Sequence, residues 1–459
     1  MKHVPAVLLP IALVVMAASA LLSADRDSSA EKARAKLRAG RPFEALLLLD
    51  TSFSNEPALV LALARLEACD WALAELATWQ RRCGDDPASE HCPAFRKVEP
   101  EIVAACPRRP AAGTEPAADG AVLARLKAPR LVPFEERPVP VEQQWTGDRP
   151  SEPPSANAYP ALTARAIAAL SPGGPRLFAV SVSQDVDPRG EVSRGGYWVH
   201  LSADSGRTWR GPYYLGFAAQ FPYVVVPASH VQPFEGDRFN LEVERREVDE
   251  STITFPPVML RAKSVEKNLY LSIDVAAIER DSDGDGLTDL LEEKLALDPL
   301  LSDTDSDGLA DAVDPLPLQA RSEEEHSERG SLLAAVLPHL FGGPPPIQQS
   351  AASGAETSAM SPQHRPFASV RTLFVSGGDG LLPHDAGVRA VAFPPAALEE
   401  YRRKFGATYP MALPDIAFDR DGQRALIRYN FRWRGGSLLA VRKKGRWTID
   451  SRRMSMWIT

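Results

Sequence analysis

Two segments of regularly spaced aspartates constrain this chain more than any other feature of its sequence. The first reads Asp281-Ser-Asp-Gly-Asp-Gly-Leu-Thr-Asp-Leu-Leu-Glu292, and the second repeats the spacing 22 residues later, from Asp303 to Asp314. A twelve-residue calcium loop needs oxygen ligands at positions 1, 3, 5, 7, 9 and 12, the seventh from the backbone, and a glycine at position 6 for the sharp turn. Gly286 and Gly308 occupy that position. The sequence therefore predicts two calcium sites, with the ligands Asp281, Asp283, Asp285, Leu287, Asp289 and Glu292 in the first loop and Asp303, Asp305, Asp307, Leu309, Asp311 and Asp314 in the second.

The two loops also hold much of the acidity of the chain. Residues 281–314, which we name the acidic cassette, contain twelve Asp or Glu residues and one lysine, a formal charge of −11. All 459 residues together carry −8, so the rest of the chain carries +3. The composition of the whole chain, 44% hydrophobic and 24% charged residues, is that of a globular protein. These values argue against a polyanion mimic, wholesale disorder and a polytopic membrane protein.

Position 8 of each loop distinguishes the acidic cassette from a pair of EF-hands, which would bury a large aliphatic residue there. That position holds Thr288 and Ala310, and the preceding segment, 269–273, has a strand-like pattern. The tandem, with Leu297-Asp298-Pro299 between its halves, resembles the thrombospondin type 3 repeats of bacterial exported proteins. It lacks the cysteines that follow each loop in the animal repeats. The resemblance implies a calcium-filled structural spacer, ligated by the carboxylates named above, and nothing catalytic.

The N-terminus predicts export. Lys2 and His3 precede nineteen uncharged residues, 4–22, and small-residue cleavage sites follow at 18–20 and 22–24. We interpret residues 1–24 as a cleaved secretory signal peptide. An uncleaved anchor is the alternative, because about 20 apolar residues can span a bilayer. No later stretch is apolar over such a length, so we expect no membrane span after cleavage, and a periplasmic, cell-surface or secreted location.

Export makes the four cysteines candidates for two disulfides. They lie at positions 69, 83, 92 and 106, and four cysteines allow three pairings. A straight helix rises roughly 21 Å over fourteen residues, which is too far for Cys69 to reach Cys83. Equal arms around a short loop instead favour a helical hairpin in which Cys69 is joined to Cys106 and Cys83 to Cys92. Free buried thiols and a zinc site are the alternatives, although no Cys-x-x-Cys spacing is present.

Composition and periodicity predict a multidomain chain. Residues 29–106 have the three- and four-residue apolar spacing of helices, and within them 37–46 faintly resembles a tetratricopeptide-type hairpin. Eleven prolines between 107 and 160 predict an extended linker. In 161–280, β-forming segments separated by turn signals predict an all-β sandwich. These segments are 177–182, 197–201, 223–226, 239–243, 252–255 and 269–273.

The calcium-binding repeat spacer would occupy 281–318, and a second, low-complexity linker would follow at 319–366. The C-terminal domain, 367–459, has an α+β pattern, with a helix expected over 396–405 and strands after it. Glycines at 435–436 and 445 predict hairpin turns between those strands. The fold class expected is therefore an N-terminal α-helical domain, an all-β sandwich, a calcium-binding repeat spacer and a C-terminal α+β domain.

One further motif lies in the β region. Residues 202–209, Ser-Ala-Asp-Ser-Gly-Arg-Thr-Trp, fit the Asp-box pattern and so resemble a turn of sialidases and related propellers. The resemblance implies structural roles, in which Asp204 caps the turn, Gly206 takes a positive φ and Trp209 packs beneath the hairpin. A single box in about a hundred residues cannot build a propeller of four or more blades. Because zinc-protease, nucleophile-elbow and phosphate-loop motifs are also absent from the sequence, an enzyme is the less favoured class.

The C-terminal segment 401–459 is strongly basic, with fourteen Lys or Arg residues and four Asp residues. Solvated edge strands guarded by arginines are one interpretation, and docking on an anionic envelope polymer or on the acidic cassette is the other. The function expected is that of an exported calcium-binding structural or interaction protein of the bacterial envelope, in which calcium rigidifies a spacer between binding domains. An envelope polymer, a glycan or a protein is the partner expected, and nucleic acid is not. The alternative is a carbohydrate-active protein, a sialidase-like enzyme or a lectin, that uses the β region.

Overall fold

The chain forms two compact units, one made of Met1–Gly113 with Pro414–Thr459 and the other of Thr114–Leu413. The expected signal peptide, the β segment at 252–255 and the later part of the second linker, 342–366, lie outside the described residues. The computed structural model describes residues 28–49, 56–86, 89, 92–107, 117–144, 159, 161–162, 167–171, 174–183, 196–218, 221–227, 229–248, 262–341, 372–376, 382–387, 389–393, 395–405, 411–431 and 434–458.

The first unit begins with the helices that the sequence predicts. Their apolar spacing directs leucines such as Leu46, Leu59 and Leu63 into a common core. Helices α4 and α5 form the expected hairpin, and the disulfides join Cys69 to Cys106 and Cys83 to Cys92, which confirms the predicted pairing. The helices are α1 (28–38), α2 (Pro42–Leu49), α3 (Pro57–Arg65), α4 (Cys69–Asp85) and α5 (Cys92–Ala105).

A C-terminal antiparallel sheet completes the core of the first unit. Its strands, paired in sequence order, are β13 (Asp415–Phe418), β14 (Arg424–Phe431), β15 (Arg434–Lys443) and β16 (Arg446–Ile458). Lys444 and Gly445 form the predicted turn, with φ values of 50° and 79°. The turn expected at 435–436 is wrong, because both glycines lie within β15 and pair with both of its neighbouring strands. Ladder pairing on two sides thus outweighs the turn preference of a glycine pair.

Arg428 of β14 connects this sheet to the helices. Its guanidinium donates hydrogen bonds of 2.8 and 3.0 Å to Asp415, forms an ion pair with Glu75 of α4 and lies over the Trp71 ring, 4.6 Å from its centroid. Ala417, Leu426 and Leu439 enter the same hydrophobic cluster as the helices. The residues expected to form one C-terminal domain, 367–459, are therefore distributed over both units, because β13–β16 bury their apolar faces against α1–α5.

Two antiparallel sheets dominate the second unit, as the β pattern predicts. Both contribute to one hydrophobic cluster, in which the Phe178 and Phe239 rings lie 5.0 Å apart. The first sheet has the order β1-β9-β8-β6 with β7 beside β8, and the second has the order β2-β3-β4-β5. The strands are β1 (Phe134–Pro138), β2 (Ile167–Leu170), β3 (Leu177–Ser183), β4 (Gly196–Ser202), β5 (Arg210–Tyr214), β6 (Tyr223–Val225), β7 (Phe234–Glu235), β8 (Arg238–Val248) and β9 (Ala262–Asp274).

Part of the expected linker at 107–160 is instead structured. Helix α6 (Ala117–Lys127) buries Val122 and Leu126, and β1 pairs with β9, with Phe134 opposite Ile273. The second expected linker, 319–366, likewise contains a helix, named α9 below. Proline is tolerated at the edges of such elements, so a high proline content did not exclude them.

Among the described residues, three short strands and four helices complete the second unit. Strands β10 (Thr372–Ser376), β11 (Arg389–Phe393) and β12 (Met411–Ala412) form a parallel sheet in the order β11-β10-β12. The helices are α7 (Val275–Glu279), α8 (Asp289–Leu295), α9 (Glu328–Phe341) and α10 (Pro395–Phe405), the last close to the predicted 396–405. Among the residues that the structure describes, no helix has the length and hydropathy needed to cross a bilayer.

The acidic cassette is packed into the second unit. Leu287, Leu290, Leu291 and Leu295 are buried in the same hydrophobic cluster as both antiparallel sheets. Helix α8 begins within the first loop, continues three residues beyond it and carries three of these leucines. The leucines of the cassette thus anchor it to the core of the second unit, whereas the sequence predicted a spacer between domains.

Candidate metal centre

The two loops of the acidic cassette repeat the same backbone turn. Gly286 and Gly308, at position 6, have φ values of 104° and 94°. Position 4 is also left-handed in both loops, at Gly284 with φ 79° and Ser306 with φ 64°. Glycine adopts this position-6 conformation without the strain that a φ near +100° imposes on a residue with a Cβ atom. The repeat in sequence is therefore a repeat in structure.

Backbone amides fix the aspartates of each loop in the same way. In the first loop Gly286 N donates to Asp281 Oδ2 (3.1 Å), and Asp283 and Asp285 each accept one amide through Oδ1 (3.0 and 2.7 Å). In the second loop the equivalent bonds to Asp303 Oδ2, Asp305 Oδ1 and Asp307 Oδ1 are 2.8, 3.2 and 2.8 Å long. One oxygen of each position-3 and position-5 carboxylate is thus held by its own loop, and the orientation of the other oxygen is fixed.

Position 9 closes each loop onto position 2. Asp289 accepts hydrogen bonds from Ser282 N (2.9 Å) and Ser282 Oγ (2.8 Å), and Asp311 accepts the same pair from Thr304, at 2.9 and 2.6 Å. Ser282 and Thr304 were not among the predicted site residues. Their signal was a hydroxyl residue at the same position of both loops.

Three groups of side chains bring their ligand atoms within 4.8 Å of one another. They are Asp281, Asp283 and Asp285; Asp303, Asp305 and Asp307; and Asp307, Asp314 and His384. Seven of the predicted carboxylates are therefore assembled as metal ligands would be, and these acidic groups could hold a metal ion. Among the described residues, Asp289, Glu292 and Asp311 are not members of such a group, and Leu287 and Leu309 each donate a backbone amide to position 5.

Several buried carboxylate oxygens of the cassette accept no hydrogen bond from any described residue. Glu292 and Asp314, both at position 12, are fully buried. A buried carboxylate oxygen without a donor is costly, and a bound cation is the usual compensation. The oxygens concerned are Asp283 Oδ2 and both Glu292 oxygens in the first loop, and Asp305 Oδ2, Asp307 Oδ2 and Asp314 Oδ2 in the second.

Burial and mutual repulsion raise the pKa values of these acids. Burial, with repulsion from Asp283 and Asp285, raises the pKa of Glu292 to about 10. Burial, with repulsion from Asp314 and Asp307, raises the pKa of Asp305 to about 7. Burial is also the main cause that raises the pKa of Asp311 to about 6. The cassette therefore holds protons near neutral pH where a divalent cation would supply the missing positive charge.

The two loops contact each other, and the second loop and Pro315 contact strand β11. Ala312 N of the second loop donates to Asp285 Oδ2 of the first (3.0 Å). Arg389, at the start of β11, is buried and donates to the carbonyl oxygens of Asp314 (3.1 Å) and Ala312 (2.9 Å). Ala390 N also donates to Pro315 O. The cassette is thus joined on one side to the antiparallel sheets and on the other to the parallel sheet.

The turn at 202–209 uses its characteristic side chains internally. Asp204 accepts hydrogen bonds from Thr208 N (2.9 Å) and Thr208 Oγ1 (2.7 Å), which together hold its pKa at about 2. Gly206 has a φ of 83°, and Trp209 is buried and donates to Gly206 O. Tyr159 packs where a Cβ of residue 206 would lie. These contacts stabilise the β4–β5 hairpin and leave the Asp204 carboxylate engaged.

Comparisons of the chain with protein-family models, with curated proteins and with solved structures found no match. The candidate site is therefore assigned from its own geometry. Carboxylates at fixed spacing, amides that orient them and buried oxygens without donors among the described residues together form acidic groups that could hold a metal ion.

Proposed function

We propose that this chain is an exported calcium-binding structural or interaction protein of the bacterial envelope, in which calcium rigidifies the acidic cassette. The observation that supports this most directly is the set of buried carboxylate oxygens without hydrogen-bond donors in both loops. The two disulfides and the lack of a membrane-spanning helix among the described residues are compatible with export.

The chemistry of the first loop favours calcium over other common cations. All of its side-chain candidates are oxygens, and Ca²⁺ takes six to eight oxygen ligands at about 2.3–2.6 Å in a flexible geometry. Mg²⁺ demands a near-ideal octahedron of about 2.0–2.1 Å and retains water. Softer ions prefer nitrogen or sulfur. Asp281, Asp283, Asp285 and Glu292 with the Leu287 carbonyl would supply the ligands.

Calcium would stabilise the connection between the sheets of the second unit. The cassette shares its core with the antiparallel sheets and is hydrogen-bonded to Arg389 of β11, and Pro315, the next residue after the cassette, accepts the amide of Ala390. Without a cation, repulsion between its carboxylates opposes this packing. With bound calcium, the cassette stays packed against the antiparallel sheets and bonded to β11. The unit then presents fixed surfaces to a polymer, glycan or protein partner.

Limited proteolysis tests this proposal. Lys294 in α8 is buried, with its Nζ 4.2 Å from the centre of the Tyr214 ring, so trypsin reaches it only when the cassette opens. We expect cleavage after Lys294 in chelator and protection in millimolar calcium. Extracellular calcium modules bind with dissociation constants of about 10⁻⁴–10⁻³ M, and calcium at ten times that constant would stabilise a site by about 1.4 kcal/mol.

A matched pair of variants makes the test specific. Asp283→Asn keeps the side-chain shape but removes the carboxylate whose Oδ2 has no donor, so calcium should no longer protect Lys294. Asp298→Asn changes the same charge in the same cassette at a position between the loops, and should leave protection intact. Equal protection by calcium in both variants would refute the first loop as a calcium site.

A further inference from the structure

A histidine that does not belong to the calcium-loop pattern, His384, lies next to the second loop. His384 lies in a short 3-10 helix, His384–Ala386, and its side chain is only 9% exposed. Its Nε2 lies 3.4 Å from Asp307 Oδ2 and 3.7 Å from Asp314 Oδ1. These are two of the buried carboxylates of the second loop, and Nε2 makes no hydrogen bond among the described residues.

The other ring nitrogen of His384 is held by a buried carboxylate. Nδ1 lies 2.8 Å from Glu325 Oε2, and the backbone amide of His384 donates to the same oxygen (3.1 Å). Glu325 also accepts the Ser322 amide through its other oxygen (3.1 Å). Because this carboxylate accepts two backbone amides, we assign Nδ1 as a further donor to it. In the neutral imidazole, Nε2 therefore presents a lone pair to Asp307 and Asp314.

We propose that His384 is a ligand of the second loop, and that this loop holds a transition-metal ion of the zinc class together with Asp307 and Asp314. The inference rests on the proposed function in taking the second loop as a cation site, and it changes the identity of the cation there. Three lone-pair donors that converge in a buried space match the ligand set of a metal ion. Two ligands of a tetrahedral Zn²⁺ at about 2.1 Å lie roughly 3.4 Å apart, which matches the observed separations.

Nitrogen is what distinguishes this site from the first loop. Ca²⁺ takes oxygen ligands, whereas imidazole suits zinc and other transition metals. The pair Glu325–His384 is also the arrangement in which a carboxylate orients a metal-ligating histidine and raises its basicity.

Two arginines lie close to the second loop and do not displace the ion. Arg321 Nε lies 3.3 Å from Asp307 Oδ2, but its side chain is half exposed and can turn towards solvent. Arg389 is buried, and it donates to the backbone carbonyls of Ala312 and Asp314. Its positive charge therefore favours the ionised form of the Asp314 carboxylate. The acids of the loop outnumber these two cations.

Zinc binding to the full chain tests the inference. The protein, kept in several millimolar calcium, is titrated with zinc against a chromophoric zinc chelator. We expect one zinc per chain, and an X-ray absorption spectrum at the zinc edge that shows an imidazole ligand. His384→Gln should remove the imidazole signal and weaken zinc binding at least 10-fold. Glu325→Gln, which keeps the ligand, should weaken binding about 10- to 100-fold.

His326→Gln is the matched control, because His326 is an exposed histidine near Glu325, and it should bind zinc as the wild type does. Zinc affinity that is unchanged in His384→Gln, or a wild type that binds zinc no more tightly than calcium, would overturn the inference. The Asp283→Asn variant separates the two proposals. It should lose calcium protection at the first loop and retain zinc at the second, so a failure of calcium binding alone leaves the zinc result readable.

Discussion

Glu292 allows the sharpest test of the electrostatics of the cassette. Its carboxyl group is fully buried without a hydrogen-bond donor among the described residues, and its pKa is raised from 4.5 to about 10, chiefly by burial. In metal-free protein at pH 8 the folded state therefore keeps a proton that the unfolded state has lost. A raised pKa of this kind contributes stability that is fully present below pH 4.5 and is lost as the pH rises towards 10.

The size of the effect follows from the pH difference. Each pH unit above 4.5 costs about 1.4 kcal/mol, so the upper limit is about 5 kcal/mol at pH 8 and below about 1 kcal/mol at pH 5. Glu292→Gln removes the titrating group and keeps its shape. We expect the variant to be more stable than the wild type in chelator at pH 8, by an amount that shrinks towards pH 5.

Urea unfolding at both pH values measures this difference in stability. The unfolding transition to compare is the one that shifts when calcium is added. In calcium the sign should reverse, because the amide of the variant offers the ion one oxygen where the Glu292 carboxylate offers two. Glu293→Gln is the control, since Glu293 pairs with Lys404 (2.8 Å) and accepts the Leu131 amide, and its loss should destabilise at both pH values. A Glu292→Gln variant that is less stable than the wild type at pH 8 in chelator, or equally changed at both pH values, would refute the reasoning.

Three further outcomes are expected elsewhere in the chain. Arg428→Met should destabilise the first unit by about 3 kcal/mol, because it leaves the buried Glu75 without its ion pair. The exposed Arg420→Met should change stability little, and chemical unfolding measures both variants. Burial lowers the pKa of His200 to about 4, so its contribution to stability is present above pH 6.5 and is lost as the pH falls towards 4, by up to about 3 kcal/mol. Acid titration of His200→Gln should lack that loss, and an unchanged profile would contradict it. Asp204→Ala should lower the melting temperature without changing calcium affinity, and a changed affinity would show that its turn does more than stabilise a hairpin.

The loops could be predicted because their pattern is local. Amides of the same loop donate to Asp281, Asp283 and Asp285, so local spacing encodes the turn. The amide of Ala312 in the second loop adds one further bond to Asp285. His384 could not be predicted in this way. It lies 70 residues beyond Asp314 and is brought to the second loop by tertiary contacts with Glu325, for which the sequence has no periodic signal.

The disulfide pairing was predictable for a similar reason, because helical rise excluded a bond between Cys69 and Cys83. The linker at 107–160 was misjudged because composition reports the frequency of proline and not its position. Pro138 ends β1, where the missing amide costs little, and the existence of β1 depends on β9, a strand more than a hundred residues away. The leucines of the cassette were visible in the sequence, but their burial depends on the two sheets that cover them.

The first unit draws its core from both ends of the sequence, and this affects the order in which the protein can be completed. Its helices lie before Gly113, whereas Ala417, Leu426 and Leu439, which cover them, lie after Pro414. About 300 residues separate the two parts, which a ribosome adds in about 15–60 s at 5–20 residues per second. During that interval the helices have only their own contacts, because the two disulfides form in an oxidising compartment. The second unit, by contrast, is contiguous and can finish folding before the first.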